Sequence, residues 1–121
     1  VLATIAPAGK PEAAVVEYVA TDNFELVFNN FSTYRKYKNL KVNDNVAFVI
    51  GWDEVTVQYE GKAIEAHGEL EKLCKKIHEK KIKHKTKFHE MPEIRYFKVQ
   101  PKWIKYSDFS KRSWEILEVR F

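Results

Sequence analysis

A chain of 121 residues that is 45% hydrophobic and contains 17 aromatic side chains (3 Trp, 6 Tyr and 8 Phe) has enough apolar surface to fold around one core. Its single cysteine, Cys74, excludes an internal disulfide, and the sequence shows neither a signal-like segment nor an apolar run long enough to cross a membrane. We therefore expect one domain over residues 1–121 in the cytoplasm, and neither a disulfide-rich secreted protein nor a membrane protein.

The positive charge is concentrated in one segment. The formal net charge is +4, but residues 75–87 contain seven lysines and one glutamate, a local sum of +6. The rest of the chain carries 14 basic and 16 acidic side chains, or −2. Basicity is therefore a property of this segment and not of the whole domain.

The first half of the chain has the pattern of strands separated by turns. Residues 1–6 and 12–20 are apolar and β-branched, and Pro7–Pro11 between them has turn composition, which predicts a hairpin. Phe24–Phe28 alternates with a period near two, which predicts a third strand. Val46–Ile50, nearly all apolar, is predicted as a fourth strand.

Two helices are predicted. The first spans Tyr34–Lys41, with Ser32 or Thr33 as its N-cap. The second follows Gly68, because apolar residues recur there at helical spacing: Leu70, Leu73, Cys74 and Ile77. The sequence given begins directly in a strand with no polar lead-in, so we also expect that an N-terminal helix is missing before Val1.

The second half predicts a sheet that closes on itself. Val55–Ala66 is long for a strand and contains Gly61, which predicts a bulge or bend of the kind that lets a sheet turn a corner. Three further strands are predicted, separated by Pro101 and by a turn at 108–111: Ile94–Val99, Trp103–Tyr106 and Ser113–Phe121. The predicted fold is mainly β, an antiparallel barrel of six to seven strands with two helices at its edges.

The start of the first predicted helix carries charges of the wrong sign. A helix N-terminus is equivalent to about half a positive charge, so acidic side chains are favoured there, yet this sequence places Arg35, Lys36 and Lys38 there. A phosphate is typically bound by the groups that this segment offers: unpaired amides, the hydroxyls of Ser32 and Thr33, a forked guanidinium and an ammonium. The segment is therefore a candidate phosphate site; alternatively, these cations simply solvate an exposed helix.

Four segments carry a family resemblance when taken in order: "VLATIAPAGKPEAAVVEYV", "ELVFNNFSTYRKYKNL", "VAFVI" and "TVQYEGKA". Over about residues 1–66 they resemble the pyridoxamine 5′-phosphate oxidase-like FMN-binding split barrels. The segment "VQPKWIKYSDFS" resembles the ending of small uncharacterised members of that superfamily. The resemblance implies an antiparallel split barrel with FMN as its cofactor.

The resemblance also implies site residues. Arg35 and Lys36 match the Arg-Lys pair that grips the FMN phosphate in the oxidase, and Ser32 or Thr33 would cap the helix beside it. Phe28 and Asn29 match positions that contact the phosphate and ribityl region. The segment whose backbone lines the isoalloxazine ring is matched by four consecutive residues: Val15, Val16, Glu17 and Tyr18.

The sequence departs from the oxidase in two places. Where the oxidase has a flavin-contacting Gln, this chain has Thr56, with Gln58 two positions on and facing the same side. The C-terminal substrate motifs of the oxidase have no counterpart in "WIKYSDFSKRSWEILEVRF". Pyridoxamine phosphate oxidation is therefore not expected, although Trp103 and Tyr106 lie in the corresponding region and are candidates to cover a flavin ring or to pack in the core.

The expected assembly is a homodimer. A small barrel is filled by its own side chains, so a flavin must lie on the outer surface and needs a second wall to bury it. A two-fold partner supplies that wall, and the family resemblance likewise implies two cofactors at a homodimer interface. Because the flavin carries the redox chemistry, we assign no catalytic residue.

Other functions stay open at this point. The split barrel could hold haem or a deazaflavin, or bind a flavin without turnover. The histidines, His67, His78, His84 and His89, have spacings that do not predict a metal site. The lysine-rich helix, with Phe88 nearby, is a distant candidate for nucleic-acid binding; because its stripe is all lysine, we favour a solvated face and expect no nucleic-acid partner.

Overall fold

A computed structural model describes residues 1–82 and 90–121 of the chain. Within them, eight strands form a single antiparallel sheet. The strands are β1 (Leu2–Ile5), β2 (Pro11–Ala14), β3 (Tyr18–Ala20), β4 (Leu26–Phe31), β5 (Asn45–Ile50), β6 (Val55–Glu65), β7 (Ile94–Asp108) and β8 (Glu115–Arg120). The two helices are α1 (Arg35–Val42), between β4 and β5, and α2 (Gly68–Lys81), between β6 and β7.

The strand order forces the sheet to curve into a barrel. The order is β2-β1-β5-β6-β7-β4-β3, with β8 paired to β7 beside this path. A flat sheet of seven strands would separate β2 from β3 by about 29 Å. Only Val15, Val16 and Glu17 connect these two strands, and the four residue steps from Ala14 to Tyr18 span at most about 14 Å. The two ends of the sheet therefore lie close together, joined by this short connection.

Two strand predictions need correction. Residues 12–20 do not form one strand, because the chain leaves β2 after Ala14 and joins β3 at the other end of the sheet. Pro101 does not separate two strands, because β7 is continuous from Ile94 to Asp108. Pro101 lies opposite Gly61 next to a register shift, and Lys102 is the extra residue there. A proline, which has no N–H to donate, is accommodated at such a bulge.

Gly61 allows the bend that the sequence predicts in β6. A Cβ atom at this position would lie 2.4 Å from the carbonyl oxygen of Gln100 and 2.9 Å from Cγ1 of Val99. A Cβ atom does not approach other heavy atoms that closely in a folded protein, so β6 and β7 lie this close together only because residue 61 has no side chain.

The sheet has a core on each of its two faces. Inside the barrel, Phe28 stacks on Phe97, with ring centroids 5.2 Å apart, and contacts Phe48 edge-on. On the other face, Val27 and Tyr96 pack with Cys74 of α2. Neighbouring residues along β4 and β7 therefore serve different cores, as the two-residue period of a strand requires.

The helices differ from their predictions in detail. Tyr34 is the N-cap of α1, and no side chain forms a capping hydrogen bond there, so the prediction that Ser32 or Thr33 caps this helix is wrong. The α2 residues Cys74 and His78 are buried, whereas Leu73, predicted on the apolar face, is exposed. Neither of the described helices is long and apolar enough to cross a membrane.

The lysine-rich segment is only partly within the described residues. Lys72 pairs with Glu69 at 3.2 Å, and Lys75 lies 4.0 Å from Glu79 and 3.9 Å from Glu90. Part of the positive charge on α2 is therefore compensated by neighbouring carboxylates. Residues 83–89 lie outside the described residues. They include three of the lysines and the other residues of the nucleic-acid hypothesis: His84, Phe88 and His89.

Glu65 fastens α1 to the end of β6. The Tyr37 hydroxyl donates a hydrogen bond of 2.9 Å to Glu65 Oε1, and Lys41 Nζ lies 2.8 Å from the same oxygen. His67 Nε2 lies 3.7 Å from the other oxygen. Burial raises the pKa of Glu65, but the hydrogen bonds from Lys41 and Tyr37 outweigh burial and hold this pKa below its usual value.

This pKa shift predicts how stability changes with pH. A carboxylate whose pKa is lower in the folded chain stabilises the fold above its unfolded-state pKa, and that stabilisation is lost as the pH falls through the folded-state pKa. We expect Glu65→Gln to lower the free energy of unfolding by about 1–2 kcal/mol at pH 7, with the difference from the wild type shrinking in acid. Urea unfolding at neutral and acid pH measures this, with the exposed Glu60→Gln as control. A difference that is constant with pH would contradict the assignment.

Candidate functional site

The first turn of α1 presents cations and no acidic residue. Arg35 and Lys36 are its first two residues, and Lys38 follows two positions after Lys36. Because the free amides of a helix start already carry partial positive charge, these side chains add to it and do not neutralise it. The local structure therefore confirms the charge arrangement expected from the sequence, although the cap is different.

Arg35 is held by a chain of polar contacts that starts in the core. The buried Asn39 amide donates to Thr4 Oγ1 at 3.0 Å and to Glu12 Oε1 at 2.7 Å. The other oxygen of Glu12 forms an ion pair with Arg35 Nη2. The Arg35 side chain is otherwise 82% exposed, so the remaining N–H groups of its guanidinium are open to a ligand.

Lys36 is in a different situation from Arg35. It is half-buried, its Nζ lies 4.6 Å from the centre of the Tyr34 ring, and burial lowers its pKa. Within the part of the chain that the structure describes, no carboxylate lies within ion-pair distance of Lys36. An anion bound beside Lys36 would favour its charged form and offset the cost of partial burial.

Two cavities flank the start of α1 and share Tyr34 and Lys36. The first, of about 430 Å³, is lined by residues of β1, β2 and α1: Leu2, Thr4, Glu12, Ala13, Ala14, Thr33, Tyr34, Arg35 and Lys36. The second, of about 320 Å³, reaches from the β2–β3 connection to α2 and is lined by Val15, Val16, Glu17, Asn29, Asn30, Phe31, Tyr34, Lys36, His78 and Ile94. Each is within the size range of small-molecule sites.

The structure brings seven of the predicted site residues to these two cavities: Val15, Val16, Glu17, Asn29, Thr33, Arg35 and Lys36. Other predicted residues lie elsewhere. The Phe28 side chain is completely buried in the barrel core, so it does not reach the cavities. Ser32 lines neither cavity, and its amide donates to the carbonyl of Glu93. Tyr18 packs against the barrel core.

The four predicted site residues of β6 and β7 lie away from the two cavities beside α1. Thr56 is the register partner of Ser107, and Gln58 is the partner of Lys105, so their side chains share one face of the sheet with Trp103. Tyr106 is the partner of Val57 and lies on the opposite face, where its hydroxyl is 3.3 Å from Asp108. None of these four residues lines the two cavities beside α1.

Three residues that line the cavities are not among those predicted from the sequence: Glu12 in the first cavity, and Asn30 and His78 in the second. Asn30 and His78 are buried yet reach the second cavity, and Glu12 orients Arg35. His78 lies four residues after Cys74 and therefore on the same face of α2, and this spacing is a signal from which its burial could have been predicted. Nothing in the spacing of Glu12 or Asn30 separates them from ordinary strand residues.

The second cavity continues into an exposed apolar surface. Val15 and Val16 line it and also line a wider depression with Val49, Trp52 and Val55. The side chains of Val15 and Trp52 are 84% and 86% exposed. Single exposed apolar residues are ordinary, but a group of them around one depression is typical of a surface that binds a ligand or another protein.

These residues fit a phosphate-bearing cofactor. The donor set at the start of α1 consists of free helix amides, one guanidinium that keeps open N–H groups, and one half-buried ammonium with no carboxylate partner among the described residues. Such donors bind a dianion and do not coordinate a metal ion. The described residues also contain no group of three or more His, Cys, Asp or Glu side chains that could hold a metal ion.

Comparisons with known proteins agree with this fold. A family model described as pyridoxamine 5′-phosphate oxidase matches residues 1–108, and no curated protein sequence matches. General Stress Protein 26 from Bacillus anthracis str. Sterne is similar in structure, with a TM-score of 0.72 and 22% identity over 98% of this chain and 86% of its own. A putative pyridoxamine 5′-phosphate oxidase from Listeria innocua has a TM-score of 0.72 and 19% identity, covering 87% of this chain and 84% of its own.

A haem-binding protein from Mycobacterium smegmatis is also similar, with a TM-score of 0.81 and 16% identity over 98% of this chain. This chain spans about half the length of that protein, 51%. Likenesses at these identities establish the split-barrel fold and leave the ligand open. Because the family model matches most of the chain, residues 1–108, the chain belongs to the pyridoxamine 5′-phosphate oxidase family.

Proposed function

We propose that this protein binds FMN, with the cofactor phosphate at the start of α1, and acts as an FMN-dependent oxidoreductase. The observation that carries the proposal is Lys36, a half-buried cation without a carboxylate partner in the described residues, set between two cavities. Arg35 and the free amides of α1 add positive potential at the same place. The family to which the chain belongs commonly binds flavin.

In this proposal the residues at the cavities have separate tasks. Arg35 and Lys36 bind the phosphate, and Glu12, anchored by Asn39, limits the orientations of the Arg35 side chain. The β2–β3 connection at Val15 and Val16 provides a wall against which a planar ring can lie. The bound flavin supplies the redox chemistry, and the protein supplies binding and orientation.

Removing the two cations is the direct test of the phosphate site. We expect Arg35→Ala with Lys36→Ala to weaken FMN binding by about 100-fold or more, because each charge-assisted contact contributes about 1.5–3 kcal/mol. Lys38→Ala, which removes a cation that lines neither cavity, is the matched control and should weaken FMN binding far less than the double variant does. Titration of FMN into apo protein, followed by flavin fluorescence, measures both. Unchanged FMN affinity in the double variant would overturn the phosphate assignment.

The absorbance of the purified protein separates the cofactor alternatives. Flavin bands that bleach on reduction support FMN, a Soret band would assign haem, as in the similar Mycobacterium smegmatis protein, and a deazaflavin spectrum would assign that cofactor. A bound flavin that no reductant or acceptor turns over would identify a binding module without catalysis. The substrate is open to such a screen, since the oxidase's substrate motifs have no counterpart in this sequence.

The exposed apolar depression supports a homodimer. Val15 and Val16 line both this depression and the second cavity, so a ligand placed along the β2–β3 connection would remain half-exposed on one chain. A second subunit covering Trp52 and Val55 would bury the ligand and the apolar surface together. Thr56, Gln58 and Trp103, which line neither cavity of their own chain, would then be available to the cofactor of the partner.

Sedimentation of the FMN-loaded protein tests this assembly. We expect a dimer in the wild type and a shift to monomer in Trp52→Glu, because the variant places a charge in the proposed apolar contact. Lys10→Glu, in the exposed turn between β1 and β2, changes the charge away from the depression and should remain dimeric. A wild-type protein that is monomeric with FMN bound would exclude the shared site.

A further inference from the structure

Strand β8 has an open edge. Strand β6 pairs with β7 along the whole length of β7, so β4 and β8 share the other edge of that strand: β4 pairs with Ile94–Val99 and β8 with Trp103–Asp108. Within residues 1–82 and 90–121, no further strand pairs with β8. An open edge presents unpaired N–H and C=O groups to which another strand can bind.

The open edge consists of the backbone groups of every second residue of β8. The amide of Phe121 donates to the carbonyl of Lys102 at 3.1 Å, so the residues two and four positions before Phe121 also direct their backbone groups at β7. The N–H and C=O groups of Ile116, Glu118 and Arg120 therefore point away from β7, towards the open edge.

Exposed apolar side chains lie on both faces of this strand. Four of them are 50–54% exposed: Ile116, Leu117, Val119 and Phe121. Phe24, in the turn between β3 and β4, is 58% exposed, and its ring centroid lies 5.9 Å from that of Phe121. A group of exposed apolar side chains beside an open strand edge is typical of a surface that binds a partner.

The charges of β8 identify another copy of β8 as the partner. When a strand pairs antiparallel with its own copy about a two-fold axis perpendicular to the sheet, opposing residues lie on the same face, so the axis passes beside one residue of each copy. An axis at Glu118 or at Arg120 places like charges opposite each other. An axis at Leu117 places Ile116 opposite the charged Glu118. An axis at Val119 places Glu118 of each copy opposite Arg120 of the other.

The axis at Val119 also satisfies the backbone and the apolar side chains. Glu118 and Arg120 direct their N–H and C=O groups at the open edge, so each of the two symmetry-related pairs exchanges two backbone hydrogen bonds. Leu117 of one copy lies opposite Phe121 of the other. Charged side chains usually protect an open edge from pairing, but an acidic and a basic residue two positions apart make this edge complementary to itself.

We propose that two copies of this chain associate through β8, as antiparallel strands centred on Val119 that continue one sheet across two molecules. This contact goes beyond the proposed function and is separate from the proposed homodimer, because no residue of β8 lines the depression at Trp52. A pair of six-residue strands forms a smaller interface than those of stable complexes. We therefore expect association only at high protein concentration, where it joins the smaller species into larger assemblies.

The mass of the protein as a function of its concentration tests this contact. In static light scattering, the mean mass of the wild type should at least double between about 10 µM and about 1 mM, whichever species is present at the lower concentration. Glu118→Arg and Arg120→Glu each place like charges in both pairs and should weaken association about 10-fold or more. Arg112→Glu, which reverses a charge between β7 and β8, should associate as the wild type does.

A mixture of the two charge variants tests the register. Neither should associate with itself, but Glu118→Arg mixed with Arg120→Glu has opposite charges at both pairs and should recover the wild-type mass. Both positions are exposed, and circular dichroism checks that the variants fold. If one does not fold, the double variant that exchanges the two charges replaces the mixture and should associate as the wild type does.

Two results would overturn the proposal. One is a wild-type mass that stays constant up to about 1 mM. The other is a mixture, or a charge-exchanged double variant, that keeps the mass of the separate chains. Because the experiment measures mass and not cofactor binding, a failure of the proposed FMN site would leave its outcome unchanged, and a failure of the β8 contact would leave the FMN site standing.

Discussion

The attachment of α1 to the barrel is the constraint on which the candidate site depends. An isolated helix of eight residues is not stable in water, so its position comes from tertiary contacts. Glu65 binds the helix at Tyr37 and at Lys41, one turn apart, and Asn39 at its centre contacts Thr4 and Glu12. With these contacts in place, the first turn of α1 is fixed beside β1, β2 and the β2–β3 connection, and the two cavities lie on either side of it.

Arg35 and Lys36 are neighbours in sequence, but their side chains have different surroundings. Arg35 is paired with Glu12 and exposed, while Lys36 is half-buried between the cavities, without a carboxylate partner in the described residues. A dianion would complete the coordination of both, since Arg35 keeps open N–H groups and Lys36 has only the Tyr34 ring beside it. The arrangement costs stability in the empty protein, which is the usual condition of a binding site.

Much of the fold could be predicted from the sequence, because strands and helices leave local periodic patterns. The alternation of Phe24–Phe28, the glycine at position 61 and the apolar spacing after Gly68 correspond to β4, the register shift in β6 and α2. The division of residues 12–20 could not be predicted, because it depends on where β1 and β4 find their partners in the closed sheet. The same is true of Pro101, which stays within β7 because a bulge forms opposite Gly61.

The site was predictable where charge and order along the chain defined it, as at Arg35 and Lys36. It was not predictable where burial defined it. Asn30 is distinguished from Asn29 only by the face of β4 on which its side chain lies and by the lack of a hydrogen-bond partner there among the described residues. Glu12 is distinguished only by its distance to Arg35, which is 23 positions away in the sequence.

Whether the start of α1 binds the cofactor phosphate can be measured as the affinity of the wild-type apo protein for FMN relative to riboflavin. The two ligands share the ring and the polyol chain and differ only in the phosphate. If the phosphate lies at the start of α1, FMN binds at least about 100-fold more tightly than riboflavin, with a preference that weakens as salt screens the charges. Equal affinity for the two ligands would contradict it.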